Sequence, residues 1–317
     1  MNNCIIYQVL KKKVTISILL LTGMIFCVEA QTTLNNALQL LQQKNYLPAM
    51  DICNTLIAQS ANDASVLGVR SQIHTAMGKH ELAMQDADRA LAFNNASDRA
   101  NYAKAEALYF GKKDYKQALQ FYEVAIKLNE QMTEAHAGKA RAYMGMQNYK
   151  DAMKVIDDAI KASFRNDHEL YFIRGLLNYQ RGNHKLAVDD YDKSLSIDAN
   201  WNACQVFLNR GIANDALSKP DAAVQDFTKA IAADPNNASG YIARGNVLYN
   251  LAKYKEAVDD FLKAEVLNPD NSVIAYNIGM SYYKSDDKTS ACKYFQKSCS
   301  QGNNNGCRMV VVNCSKN

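Results

Sequence analysis

Four of the chain's eight cysteines crowd its C-terminal end, where their spacing could support covalent crosslinking or metal binding. Cys292 and Cys299 lie seven apart, two turns along one face of a helix. Cys307 and Cys314 repeat that interval after Gly302-Asn303-Asn304-Asn305-Gly306, a stretch that demands a turn. Four thiols permit three pairings. In an antiparallel helix pair, residues equally far from the turn face one another, which selects Cys299 with Cys307 and Cys292 with Cys314. A helix of about ten residues after Gly306 is marginal alone. A bridge closing the nine-residue loop would stabilise it by roughly 2 to 3 kcal/mol through lost loop-closure entropy. Zinc is the competing chemistry, but intervals of seven and eight are unlike the short knuckle spacings of structural zinc sites.

That pairing needs two helices running in opposite directions, and the preceding sequence repeats the same element. Ala49, Ala83, Ala118, Ala152, Ala187, Ala223, Ala257 and Ala291 recur at intervals of 34 to 36 residues. With each alanine counted as position 20 of a repeat, position 24 is Cys53, Ala87, Tyr122, Ile156, Tyr191, Phe227, Phe261 and Phe295, mostly large and apolar. Position 27 is small throughout except at Leu56, and position 8 is small throughout except at Glu106. Small residues at positions 8 and 20 would let two antiparallel helices approach closely. Asp234-Pro235-Asn236-Asn237 and Asn268-Pro269-Asp270-Asn271 supply turns between repeats.

This spacing resembles the tetratricopeptide repeat. The match is fullest over 238–271, where Tyr241, Gly245, Tyr254, Ala257, Phe261, Ala264 and Pro269 occupy family positions. The resemblance covers about 30 to 303, with repeats starting near 30, 64, 99, 133, 168, 204, 238 and 272. It implies an all-α, right-handed superhelical solenoid of about eight antiparallel helix pairs, taken as one repeat domain over 31–303. Residues 304–317 then form a disulfide-stapled capping helix and tail. Thr33 and Leu67 replace the aromatic at position 4, and extra residues near Phe164 and at Asn200 to Asn202 lengthen two turns. The segment Ala291 to Cys307 also resembles the Sel-like cysteine-rich repeats, whose cysteines eight apart bridge neighbouring helices.

Catalytic frames are largely missing. His74, His80 and His184 fall at positions 11, 17 and 17, and His136 at position 4, where the repeat takes aromatic packing residues. His168, in Asp167-His168-Glu169, reads as exposed between repeats. Cys53 reads as a packed thiol and Cys204 as a turn residue. The sequence has no His-Glu-x-x-His, Cys-x-x-Cys, Walker loop, Gly-x-Gly-x-x-Gly or Gly-x-Ser-x-Gly, so the expectation is a non-enzyme without cofactor or metal. The alternative implied by the Sel-like resemblance is a penicillin-recognising hydrolase. Ser281 to Lys284 and Ser285 to Lys288 both fit Ser-x-x-Lys, but Ser-Asp-Asn and Lys-Thr-Gly do not occur.

A repeat scaffold offers a partner its inner face. If positions 4, 8 and 11 pack against the second helix, positions 2, 5, 9 and 12 line that face. The later repeats place there Phe172, Leu176 and Tyr179, then Leu208, Ile212 and Asp215, then Ile242, Asn246 and Tyr249, then Tyr276, Met280 and Tyr283. Such an apolar, aromatic groove suits another protein or a peptide segment. The competing assignment packs some of these side chains between neighbouring first helices, or covers them with the terminal helix. Within the family, some grooves hold a terminal carboxylate with a lysine and asparagine clamp. Asn246 and Asn277 sit at clamp positions, but Ile242 stands where the lysine belongs, so no chaperone-tail receptor is inferred.

The first thirty residues read as an address. Lys11, Lys12 and Lys13 precede an apolar run from Val14 to Val28, too short to span a bilayer. Val28 and Ala30 suit signal-peptide cleavage before Gln31, while lipidation at Cys27 is opposed by the bulk of Phe26. The expected destination is a bacterial periplasm or cell surface, or secretion from a eukaryotic cell. The 317-residue chain has a formal net charge of +4, with only 14 Gly and 4 Pro. Removing the leader leaves 33 basic against 31 acidic side chains, so neither a nucleic-acid partner nor a membrane span is expected in the processed chain.

Overall fold

The computed structural model describes residues 33–162 and 167–314, and every regular element among them is helical. The leader, Cys27 and the turn near Phe164 lie outside the described residues. The helices run as α1 (33–42), α2 (Tyr46–Gln59), α3 (Ala64–Ala76), α4 (His80–Phe93), α5 (Asp98–Ala107), α6 (Tyr115–Leu128), α7 (Thr133–Gly145) and α8 (Tyr149–Lys161). They continue as α9 (His168–Gln180), α10 (His184–Ile197), α11 (Ala203–Ala216), α12 (Pro220–Ala233), α13 (Ala238–Asn250), α14 (Tyr254–Leu267), α15 (Ser272–Lys284), α16 (Lys288–Ser300) and α17 (Asn304–Met309). The described residues divide into two compact units on either side of the boundary between Val155 and Ile156.

Local chemistry explains where several helices begin and how the first helix of each repeat ends. Asp63, Asp167 and Asn271 each accept two backbone N–H groups at the start of α3, α9 and α15, supplying donors that the first helical turn leaves unpaired. Position 15, just past the first helix, is left-handed in all eight repeats: Lys44, Gly78, Lys113, Gln147, Gly182, Ser218, Ala252 and Asp286 all have positive φ. At α13 the following Lys253 N–H reaches back to the Leu248 carbonyl, and the Ala252 N–H to that of Tyr249. This closure stops the helix and reverses the chain. The repeat at 99–132 differs, because α5 runs into a widened π turn at Leu108–Lys112 and Asp114 N–H bonds the Leu108 carbonyl.

In the second unit, the small residues at position 8 make room for the ring at position 24. A Cβ added to Gly175 would lie 2.5 Å from Tyr191, and one added to Gly211 would lie 2.6 Å from Phe227. The same test at Gly245 and Gly279 meets Phe261 and Phe295, again within 3 Å. Each ring is fully or almost fully buried, worth about 1.5 to 3 kcal/mol apiece. In the α5/α6 pair of the first unit, Glu106 holds that place. Its carboxylate accepts from the buried Tyr122 hydroxyl and from Arg141 on α7, while the Tyr122 ring lies where a Cβ on Gly138 would be.

An ionic pattern runs in the same phase. Arginine at position 7 clamps aspartate at position 23, sixteen residues on: Arg70 with Asp86, Arg174 with Asp190, Arg210 with Asp226 and Arg244 with Asp260. Each also contacts the preceding repeat, at Asn54, Asp157, Asp192 and Thr228 respectively. Asn178 and Asn214 donate to Asp190 and Asp226. These buried carboxylates are therefore paired and hydrogen-bonded, as burial requires.

At the C-terminus, Cys299 is bonded to Cys307 and Cys292 to Cys314, with Cα separations of 4.5 and 5.7 Å. These are the pairs selected by distance from the turn. The terminal helix is shorter than expected: α17 ends at Met309 and a π turn, Val310–Cys314, carries the last cysteine back to α16.

Candidate docking face

The twelve groove residues read from the sequence separate into two groups. Phe172 and Leu208 are 9% and 8% exposed and present little surface to a partner, a correction to the sequence reading. Phe172 packs its ring against Tyr191 and Trp201, at centroid distances of 5.9 and 5.5 Å. Trp201 comes from the lengthened turn at Asn200 to Asn202, where the Asp198 carboxylate accepts the Asn200 and Trp201 N–H groups. Leu208 packs with Ala223, Phe227 and Val247. Trp201 also lies 4.5 Å from the His168 ring, so His168 is half-buried rather than exposed.

Asp215 and Asn246 are exposed, and the remaining eight are half-buried: Leu176, Tyr179, Ile212, Ile242, Tyr249, Tyr276, Met280 and Tyr283. Several are braced from behind. Tyr179 lies against His184, Tyr249 against Tyr254, and Tyr276 and Tyr283 against Phe295. Bracing of this kind fixes an aromatic surface before any partner arrives, which reduces the ordering cost of binding.

Four of the twelve converge. Asn246 and Tyr249 on α13, with Tyr276 and Met280 on α15, line an open pocket of about 210 Å³, completed by Asn277 and by Phe261 from α14. Both helices reach this arrangement through the repeat itself, which puts positions 9 and 12 of one first helix beside positions 5, 6 and 9 of the next. Asn277 Nδ2 donates to Asn246 Oδ1 at 3.3 Å. Burial, with the Tyr254 and Tyr276 phenols adding, raises the Tyr249 pKa, so its hydroxyl stays protonated at neutral pH. Six uncharged side chains thus form an apolar depression with an amide pair on its wall. The other eight residues of the sequence-read groove do not line this pocket.

The remaining candidates for reactivity have structural surroundings. Burial pushes the Cys53 thiol up to about 12, against the opposing pull of Arg70, so it is protonated at neutral pH. Cys204 takes a weak contact from Asn237 Nδ2. Ser281 is fully buried and donates to the Asn277 carbonyl, and Ser285 donates to the Tyr282 carbonyl. His74 and His136 both have pKa values lowered first by burial, while His74 Nε2 stands 3.6 Å from Asp86. Among the described residues no three His, Cys, Asp or Glu side chains are grouped to hold a metal ion, and no helix is long and apolar enough to cross a membrane.

Known proteins share this architecture. Family models described as tetratricopeptide repeat match residues 109–171, 168–200, 208–272 and 275–301. A TPR repeat-containing protein of Methanocaldococcus jannaschii is 21% identical over 248 residues, covering 64% of this chain and 43% of that protein. DnaJ homolog subfamily C member 7 of Homo sapiens is 25% identical over 213 residues, covering 52% of this chain and 43% of that protein. The chain thus spans less than half the length of these relatives. The structure of the APC/C hetero-tetramer Cut9-Hcn1 aligns with a TM-score of 0.69 at 15% identity, over 77% of this chain and 48% of that one, a likeness of fold.

Proposed function

The chain belongs to the tetratricopeptide-repeat family, and on that premise we propose that it is an exported, non-catalytic scaffold that binds another protein through the first-helix face of its second unit. The observation that carries this reading is the braced aromatic surface around Tyr249, Tyr276 and Met280, open beside buried packing on the same helices. Apolar side chains held rigid at a surface are an interaction signature. Export rests on the three lysines and the apolar run that follows them, and a role in cell-envelope assembly extends that reading.

Paired capture experiments test the proposal. Full chain and a Tyr249→Glu/Tyr276→Glu variant, matched for helicity by circular dichroism, are used to capture proteins from envelope extract of the source cells. The expected result is loss of specific captured proteins by the variant. An unchanged set would move the binding surface elsewhere. Fractionation that left the protein in the cytosol would remove the export element alone.

A further inference from the structure

We propose that the C-terminal cap, residues 304–314, is a redox-operated latch. Thiol–disulfide exchange at Cys292–Cys314 and Cys299–Cys307 by a dithiol reductant frees the cap, while the helix pairs beneath it stay folded.

The cap has little besides its two covalent bonds to hold it. α17 is six residues long, well below the roughly 12–15 that a helix needs to persist alone. Of the described residues of the cap, Gly306 alone is buried, and the π turn that follows α17 buries none. Val311 and Val312 are 70% and 59% exposed and contribute little packing. A segment with so little buried surface opens locally at low cost unless crosslinks restrict it.

α16, by contrast, is anchored without the cap. Phe295 is fully buried, against the rings of Tyr276 and Tyr283 and over Gly279. Lys297 pairs with Glu265, Ser298 donates to the Ser272 carbonyl, and Gln301 donates to that of Pro269. All of these partners precede α17, so release of the cap removes none of them and unfolding stops at the end of α16. What release uncovers is the seat of Gly306, where an added Cβ would lie 2.7 Å from the Ser298 hydroxyl oxygen. The latch thereby opens the end of the solenoid that the closed cap seals.

Exchange requires access to sulfur, and all four bonded cysteines are half-buried, whereas Cys53 is fully buried. A thiolate of the reductant attacks one cysteine sulfur, forming a mixed disulfide and releasing the other cysteine as a thiolate that takes up a proton. The reductant's second thiol then attacks the reductant sulfur of the mixed disulfide and frees the remaining cysteine. Each bond gains two electrons and two protons, and each reductant molecule leaves as a disulfide.

The test treats the folded full chain with excess dithiothreitol and follows site-resolved alkylation and amide hydrogen exchange by mass spectrometry. All four cysteines should become alkylable, exchange over 304–314 should accelerate by about tenfold or more, and α13 to α16 should keep their protection. Oxidised glutathione should restore slow exchange. The variant Cys292→Ser/Cys299→Ser/Cys307→Ser/Cys314→Ser should show the fast exchange without reductant. Slow exchange over 304–314 after full reduction would overturn the latch, because other contacts would then hold the cap. Loss of protection throughout α13 to α16, or a cap that oxidation does not return, would overturn it too. So would bonds that resist reduction until the chain unfolds, or four cysteines alkylated with no reductant present.

Discussion

The helix pair α13/α14 and the pair α5/α6 solve one packing problem in different ways. In α13/α14 the Phe261 ring covers Gly245, and the meeting of the helices is steric. In α5/α6 the corresponding residues are Tyr122 and Glu106, joined by a hydrogen bond. Arg141 on the following helix pairs with the carboxylate, and Gly138 makes room for the displaced ring. The glycine pair closes its contact internally, whereas the glutamate pair relies on its neighbour for both charge and space. A small residue at position 8 is thus one solution for accommodating position 24, and a buried acid is another when its oxygens are satisfied.

The largest expected effect tests the ionic contribution to the second unit. Arg210→Met leaves Asp226, whose side chain is 4% exposed, with Asn214 but without its cation. Urea unfolding should show a loss of about 3–5 kcal/mol, with much of it recovered when Asp226 is also made apolar. A loss below 1 kcal/mol would show that the rings alone hold these pairs.

Next comes the exchange of the two packing solutions. Gly245→Ala should cost about 1–3 kcal/mol by overpacking against Phe261, while Glu106→Gly should cost about 1–3 kcal/mol by stranding the Tyr122 hydroxyl. Glu106→Gly combined with Tyr122→Phe recreates the glycine-and-ring pair and should cost less than the two single changes added. Strict additivity in that cycle would remove the equivalence drawn between the pairs.

A smaller effect of opposite sign is expected at the turns. Ala252 holds φ at 60° where Gly78 and Gly182 serve in other repeats. Ala252→Gly should stabilise by about 1 kcal/mol, read as a higher urea midpoint, whereas Gly182→Ala should do the reverse.

The smallest expected effect concerns acid. Burial lowers the pKa of His74 and His136, both in the first unit, below the ordinary 6.5. The folded form therefore favours neutral imidazoles, and the unfolded chain binds more protons as pH falls. Stability from this source is fully present above pH 6.5 and is lost as pH drops through that value toward the folded pKa values. Urea midpoints at pH 7.5 and 5.5 should differ less in a His74→Gln/His136→Gln variant than in the parent.

Much of the fold was legible because its determinants recur at fixed phase. Alanine at position 20 and the ring at position 24 locate each pair, and the equal cysteine intervals define which thiols face. The groove was less legible. Phe172 occupies a groove position by count, yet it is covered by Trp201, which arrives from an inserted turn that periodicity cannot place. The arginine–aspartate pairs were visible as residues sixteen apart, but a search for small and apolar stripes passes over them. At position 15 only Gly78 and Gly182 announce a left-handed residue; elsewhere Lys, Gln, Ser, Ala and Asp adopt it under the demand of chain reversal.

Because Arg174, Arg210 and Arg244 each reach one aspartate in their own helix pair and a polar group in the pair before, the second unit has a direction as well as a period. Removing residues 204–237 as a block would leave Arg244 facing Asp192 in place of Thr228, a swap its guanidinium can accept. Excising half that length would pair helices whose counter-ions do not correspond, so the sequence is editable in whole cassettes.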